Sequence, residues 1–131
     1  MENSFQLEII KPEKIIFSGK ITTATLPSYE GDMSILKNHI PIITFLRPGI
    51  ITVTTSEKSS INFFVQDGTV EYFNDSLVVL SSSIENIKDL SNEYLDDLNK
   101  ETENKLSKSD ITDHDRYILN HKLDAIRNIR V

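Results

Sequence analysis

Up to about Leu80 the apolar residues recur with period two, in short runs rich in Ile, Val, Thr, Phe and Tyr. That periodicity predicts strands with one buried face. Phe5, Leu7 and Ile9 alternate with polar neighbours, and further runs follow at residues 15–17, 21–26, 40–46, 50–55, 61–65, 70–73 and 77–80. Between them stand Lys11-Pro12-Glu13, Ser18-Gly19, Glu30-Gly31-Asp32, Pro48-Gly49, Glu57-Lys58-Ser59, Asp67-Gly68 and Asn74-Asp75. These residues accept tight or positive-φ geometry and predict turns. Many short strands at regular spacing predict a sandwich or a barrel.

After Leu80 the pattern changes. Ser81-Ser82-Ser83 and Glu85-Asn86 read as a linker, and beyond it Leu, Glu, Asp, Lys and Asn replace the β-branched residues. Ile87, Leu90, Tyr94 and Leu98 fall on one face of a helix that Leu95 broadens and that runs to about Leu106. Asp96 with Lys100 and Glu101 with Lys105 are i,i+4 pairs in the favourable orientation. Ser107-Lys108-Ser109-Asp110 predicts a turn, with Ser109 or Asp110 able to cap a second helix from about Thr112 to Ile129. The apolar stripe of that helix is Ile118, Leu119, Leu123, Ala125, Ile126 and Ile129. Two amphipathic helices joined by a short polar turn predict an antiparallel hairpin. The expected domains are therefore a strand-built unit at 1–83 and a helical hairpin at 84–131. Helical stability in water comes mainly from packing an apolar face, and neither stripe is rich, so the hairpin is expected to dock lightly and to open for a better partner.

Composition narrows the function. A chain of 131 residues buries roughly two thirds of its unfolded surface, enough for one good core and an appendage. The formal charge of −6, without a basic stripe, argues against nucleic acid, whose binding depends on Lys and Arg at phosphates. The absence of cysteine excludes disulfides, thiolate catalysis and thiolate zinc sites. Met1-Glu2-Asn3-Ser4 has neither the basic nor the apolar region of a secretory signal. The apolar run at residues 40–46 is far shorter than the about 20 residues needed to span a bilayer. A soluble chain facing the cytosol is expected.

Candidate chemistry is sparse. His114 and His121 lie near one helical face with Asp110 and Asp113 close by, but i,i+7 is too far for two ligands on one helix to hold a single metal ion. His39, with Glu30 and Asp32 upstream, could serve an acid/base enzyme. No nucleophile or phosphate-binding loop accompanies it, and a structural or partner-contacting histidine is the simpler reading. A small enzyme centred on His39, or a free-standing binding module, is the alternative to the reading below.

The stretch from Leu26-Pro27 through Glu30-Gly31, Ile35-Leu36, His39-Ile40-Pro41 to Pro48-Gly49 closely resembles the signature of ATP synthase epsilon subunits, called delta in mitochondria. There a Pro, then Glu-Gly, an Ile-Leu pair, a His-x-Pro and a Pro-Gly recur in this order and spacing. Lys11-Pro12-Glu13 with Phe17-Ser18-Gly19 resembles the family's first hairpin, and Asp67-Gly68-Thr69-Val70 a later strand entry. The resemblance implies a fold of two packed antiparallel sheets followed by an antiparallel two-helix hairpin. It also implies a non-catalytic subunit of the central stalk, with no cofactor, on the cytoplasmic face of a bacterial membrane. Contact with the rotor ring is implied for Tyr29, Glu30, Gly31, Asp32 and Met33, and contact with the gamma subunit for His39, Pro41 and Thr44. Some bacterial members bind ATP through an Ile/Leu-Asp-x-x-Arg-Ala motif. Here Ser91, Tyr94 and Leu95 stand at its Asp, Arg and Ala positions, so ATP sensing by that route is not expected. The second helix is locally basic, with Arg116, Lys122, Arg127 and Arg130. In bacterial relatives this helix can swing up beside gamma, meet acidic segments of the catalytic alpha/beta ring and block rotation. The plain alternative is that these cations complement the helix dipole.

Overall fold

The computed structural model describes residues 3–129, so Arg130 lies outside the described residues. Nine strands are followed by a 3-10 turn and two helices: β1 (Phe5–Lys11), β2 (Lys14–Ser28), β3 (Gly31–Ile35), β4 (Ile42–Leu46), β5 (Gly49–Thr55), β6 (Ser60–Val65), β7 (Gly68–Phe73), β8 (Ser76–Leu80), β9 (Ile84–Asn86), α1 (Asn92–Leu106) and α2 (Asp113–Ile129). The result is a β-sandwich carrying a helical hairpin.

The two layers share one strand. The first half of β2 pairs with β1, and its second half pairs with β5 and β3 and touches β4 at Ser28. A register shift near Thr22 lets the strand bend from one layer to the other, as bulges do. Ser18-Gly19, expected as a turn, therefore lies inside β2 opposite Glu8 and Leu7. The pairing is not wholly antiparallel, because β1 runs parallel to β8.

Alternation holds where one face meets the core. Phe5, Leu7 and Ile9 of β1, Ile51 and Val53 of β5, Val70 and Tyr72 of β7, and Leu77 and Val79 of β8 all point inward. Phe5 meets Tyr72 edge-to-face with ring centres 5.6 Å apart. In β6 the consecutive Phe63, Phe64 and Val65 are all buried. Phe63 and Val65 belong to the sandwich core, whereas Phe64 packs outward against Leu95, Leu98, Ala125 and Ile126 of the helices.

The hairpin turn between β7 and β8 consists of Asn74 and Asp75, both at positive φ (55° and 61°), the geometry that matches strand twist. Asp75 accepts the Tyr72 hydroxyl at 2.6 Å and the Asn38 N–H at 3.0 Å, tying this turn to the loop before β4. Both bonds favour the carboxylate and hold Asp75 below its ordinary value, while burial leads in raising Tyr72.

Three boundaries differ from the sequence reading. Glu85 and Asn86 are not linker but part of β9, which pairs antiparallel with β6, and Lys11 pairs with Glu85 at 3.0 Å. Ile87 and Leu90 precede the first helix rather than open it: Ile87 belongs to the 3-10 turn, and the Ser91 hydroxyl caps α1 by accepting the Tyr94 N–H at 3.0 Å. With that start, Leu95, Leu98 and Thr102 face inward and Tyr94 is exposed. The second helix is capped by neither Ser109 nor Asp110. Thr112 does this, its hydroxyl accepting the Asp115 N–H at 3.0 Å.

Candidate partner-binding surfaces

The turn between β2 and β3 is pinned from beneath. Ser28, fully buried, donates its hydroxyl to the Gly31 carbonyl at 2.7 Å and accepts the Glu30 N–H at 3.1 Å. Gly31 takes a φ of +120°, which favours glycine. The Tyr29 N–H donates to Phe45 and the Arg47 N–H to Pro27, so the end of β4 braces the same turn. Gly49 is required nearby, because a Cβ there would meet Pro27 at 2.6 Å. Arg47 donates to Asp32 at 3.0 Å and to the Pro48 carbonyl at 3.0 Å. Of the residues expected to face the rotor ring, Tyr29, Glu30 and Asp32 are exposed, and Gly31 and Met33 are half-buried. The fold brings all five together at one end of the sandwich.

His39 sits at the other end. Its N–H donates to Leu36, its Nδ1 lies 2.7 Å from the Ile40 carbonyl, and its ring meets Tyr72 edge-to-face. Glu30 and His39 flank opposite ends of β4, whose five residues span about 16 Å at strand rise. They do not converge on a common site. Among the described residues no group of three or more His, Asp or Glu side chains is placed to hold a metal ion.

Strand β4 links the two ends. Thr44 is buried and faces inward, whereas Ile43 and Phe45 are 72% and 60% exposed. Phe45 joins Ile10, Pro12, Tyr29, Thr69 and Leu80 around an open apolar hollow of about 700 Å³. Sequence reasoning named Thr44 and missed its outward neighbours. The signal was present, since residues 40–46 are nearly all apolar rather than alternating, as in strands covered on both faces.

On α2, Arg116 is exposed, Arg127 lies 3.6 Å from Glu103 of α1, and Lys122 is partly buried. Burial first, and Lys105 second, lower the Lys122 amine below its usual value. The helix also reaches the Tyr29 turn. The Tyr29 ring stacks on His114 and Tyr117, and the Tyr117 hydroxyl donates to the Tyr29 carbonyl at 3.3 Å. Burial, followed by the neighbouring Arg47, lowers His121 below its ordinary value. No sequence signal connected Tyr29 to α2.

Residues 4–87 match the family model described as ATP synthase, Delta/Epsilon chain, beta-sandwich domain. The chain belongs to the ATP synthase delta/epsilon family. It is 42% identical to the ATP synthase epsilon chain of Pelagibacter ubique (strain HTCC1062), over 98% of this chain and 99% of that one. It is 31% identical to the epsilon chain of Parvibaculum lavamentivorans, over 99% of this chain and 98% of its relative. The fold is also that of a chain in the Euglena gracilis mitochondrial ATP synthase, with a TM-score of 0.78 at 16% identity, covering 99% of this chain and 81% of the other. A chain in the central stalk and ring of the Tetrahymena thermophila enzyme aligns with a TM-score of 0.60 at 15% identity, over 95% and 92% of the two chains. As a member of this family, the chain is a non-catalytic subunit of the ATP synthase central stalk, not an enzyme built on His39. No helix among the described residues is long and apolar enough to cross a membrane.

Proposed function

We propose that the sandwich clamps the gamma subunit to the membrane rotor ring and so carries torque between ion flow and the catalytic sites. The observation that supports this most is β4, whose uncovered Ile43 and Phe45 connect the braced Tyr29–Asp32 turn at one end to the His39–Pro41 loop at the other. An apolar strand face left open on a folded chain suits a partner. In this reading the turn, with Tyr29, Glu30, Gly31, Asp32 and Met33, meets the polar loops of the ring. Gamma covers the outward face of β4 together with His39 and Pro41, and Thr44 keeps the strand in register from within. The subunit works at the cytoplasmic face of a bacterial membrane, held there by its partners.

The hairpin has a separate role. Its contact with the sandwich is small, and from Arg116 onward the sequence carries Arg116, Lys122, Arg127 and Arg130 against Asp124, a basic stretch suited to the catalytic alpha/beta ring. Swung upward, it acts as a brake on ATP hydrolysis. ATP itself does not set this brake, because Ser91 and Tyr94 replace the carboxylate and guanidinium a nucleotide would need, and Ser91 is occupied as a helix cap. In assembled ATP synthase, a chain ending after Asn86 is expected to retain coupling between ion flow and synthesis while ATP hydrolysis changes. A shortened chain that no longer joins gamma would overturn this division of labour. Phe45→Glu in the full chain is expected to weaken co-purification with gamma without unfolding the sandwich.

A further inference from the structure

His114, Tyr117 and His121 recur at i, i+3 and i+7 along α2, and so share one side of the helix. That side meets the Tyr29 turn. Tyr29 lies nearly parallel to His114 and Tyr117, with ring centres 6.2 and 5.9 Å away, and Tyr117 meets His121 edge-on at 4.5 Å. The Tyr117 hydroxyl reaches back to the Tyr29 carbonyl at 3.3 Å. This is the link between the first half of α2 and the sandwich, and it is separate from the Phe64–Ile126 packing farther along the helix.

We propose that Tyr29, His114, Tyr117 and His121 form a latch that holds α2 against the sandwich while His121 is neutral and loosens when His121 takes up a proton.

The charges around His121 decide the direction. Arg47, from the end of β4, faces it across a cleft that also contains Asp32 of β3 and Asp124 of α2. Tyr117 and, one turn further back, His114 flank it on its own helix, and Tyr29 closes the column from the sandwich. Asp32 and Asp124 favour the imidazolium, but Asp32 is already paired with Arg47 at 3.0 Å and Asp124 is exposed. Partial burial and the Arg47 guanidinium outweigh them, and the ring is held below its ordinary value of 6.5. Released from the sandwich, His121 loses the Arg47 penalty and the part of its burial that the sandwich supplies. The docked state thus binds its proton less tightly than the free state. Docking is strongest above the free-ring value and weakens as pH falls from there through the lower, docked value. The equilibrium changes about tenfold for each pH unit separating the two. The consequence for rotation rests on the brake proposed above, whereas the latch does not.

The full chain has no cysteine, so Glu71→Cys on β7 and Asp110→Cys in the interhelical turn, both exposed, accept a spin-label pair without background. From about pH 8 to about pH 5 the distance distribution is expected to pass from narrow to broad. His121→Phe keeps a ring beside Tyr117 but takes no proton, and is expected to stay narrow throughout. His114→Phe should respond as the parent does. A distribution that ignores pH, or a response that survives in His121→Phe, overturns the proposal. So that nothing hangs on one variant folding, the His121 imidazole is also titrated by NMR in the unaltered chain. A midpoint below 6.5 supports the latch, and one at or above 6.5 overturns it. No other subunit enters these readings, so they stand or fall apart from the stalk assignment.

Discussion

The sandwich and the hairpin bury their apolar residues in different ways. The sandwich encloses a core fed by all nine described strands, from Phe5 in β1 to Ile84 in β9, with rings locked edge-to-face at Phe5–Tyr72 and Phe17–Phe63. The hairpin rests on a much smaller cluster, in which Leu95, Leu98, Ala125 and Ile126 share Phe64 with the outer face of β6. Partly buried Ile50 of β5 packs against that cluster, and the further link at Tyr29–Tyr117 is aromatic and exposed. A rigid adaptor that transmits force benefits from the first kind of packing. A part that has to move benefits from the second, since a segment with few buried contacts opens at small cost.

That contrast can be broken by experiment. The largest effect is expected at the centre of the sandwich, where Phe63→Ala should cost about 3 to 5 kcal/mol in denaturant unfolding, because the surrounding strands cannot close on the space it leaves. A cost below that of a hairpin substitution would reverse the ranking of the two regions. Ile126→Ala should cost about 2 kcal/mol, the low end for such truncations, since a lightly docked helix settles around the vacancy. Its mark is local: amide exchange should quicken in α1 and α2 and stay unchanged in β1, β5 and β8. Quickened exchange throughout would show that the two regions unfold as one. The smallest change is Ser91→Ala, which removes the α1 cap for about 1 kcal/mol and should fray the first turn of that helix alone.

The site was legible in part. The Glu30-Gly31-Asp32 turn is visible in sequence because only certain residues accept its geometry, and the structure supplies the reason in the Gly31 φ of +120° and the Ser28 hydroxyl beneath it. The outer face of β4 was half visible, as an apolar run too dense for simple alternation. Thr44 was singled out instead, although its side chain points into the core. A one-residue displacement along a strand reverses the face, so a contact inferred from a motif has to be checked against the pleat.

Side-chain periodicity and turn chemistry are local properties, readable from a few neighbouring residues. The chain alone therefore determined that strands come first, that two helices follow, and where most turns fall. Pairing depends on which distant segments bury one another, and it left no local trace. Tertiary structure alone decided that β2 would serve both layers across Ser18-Gly19, that β1 would lie parallel to β8, and that Glu85 and Asn86 would join the sheet. It also set Tyr29 against Tyr117, 88 residues away, because the space left above the turn once the sandwich closes is filled by the first half of α2.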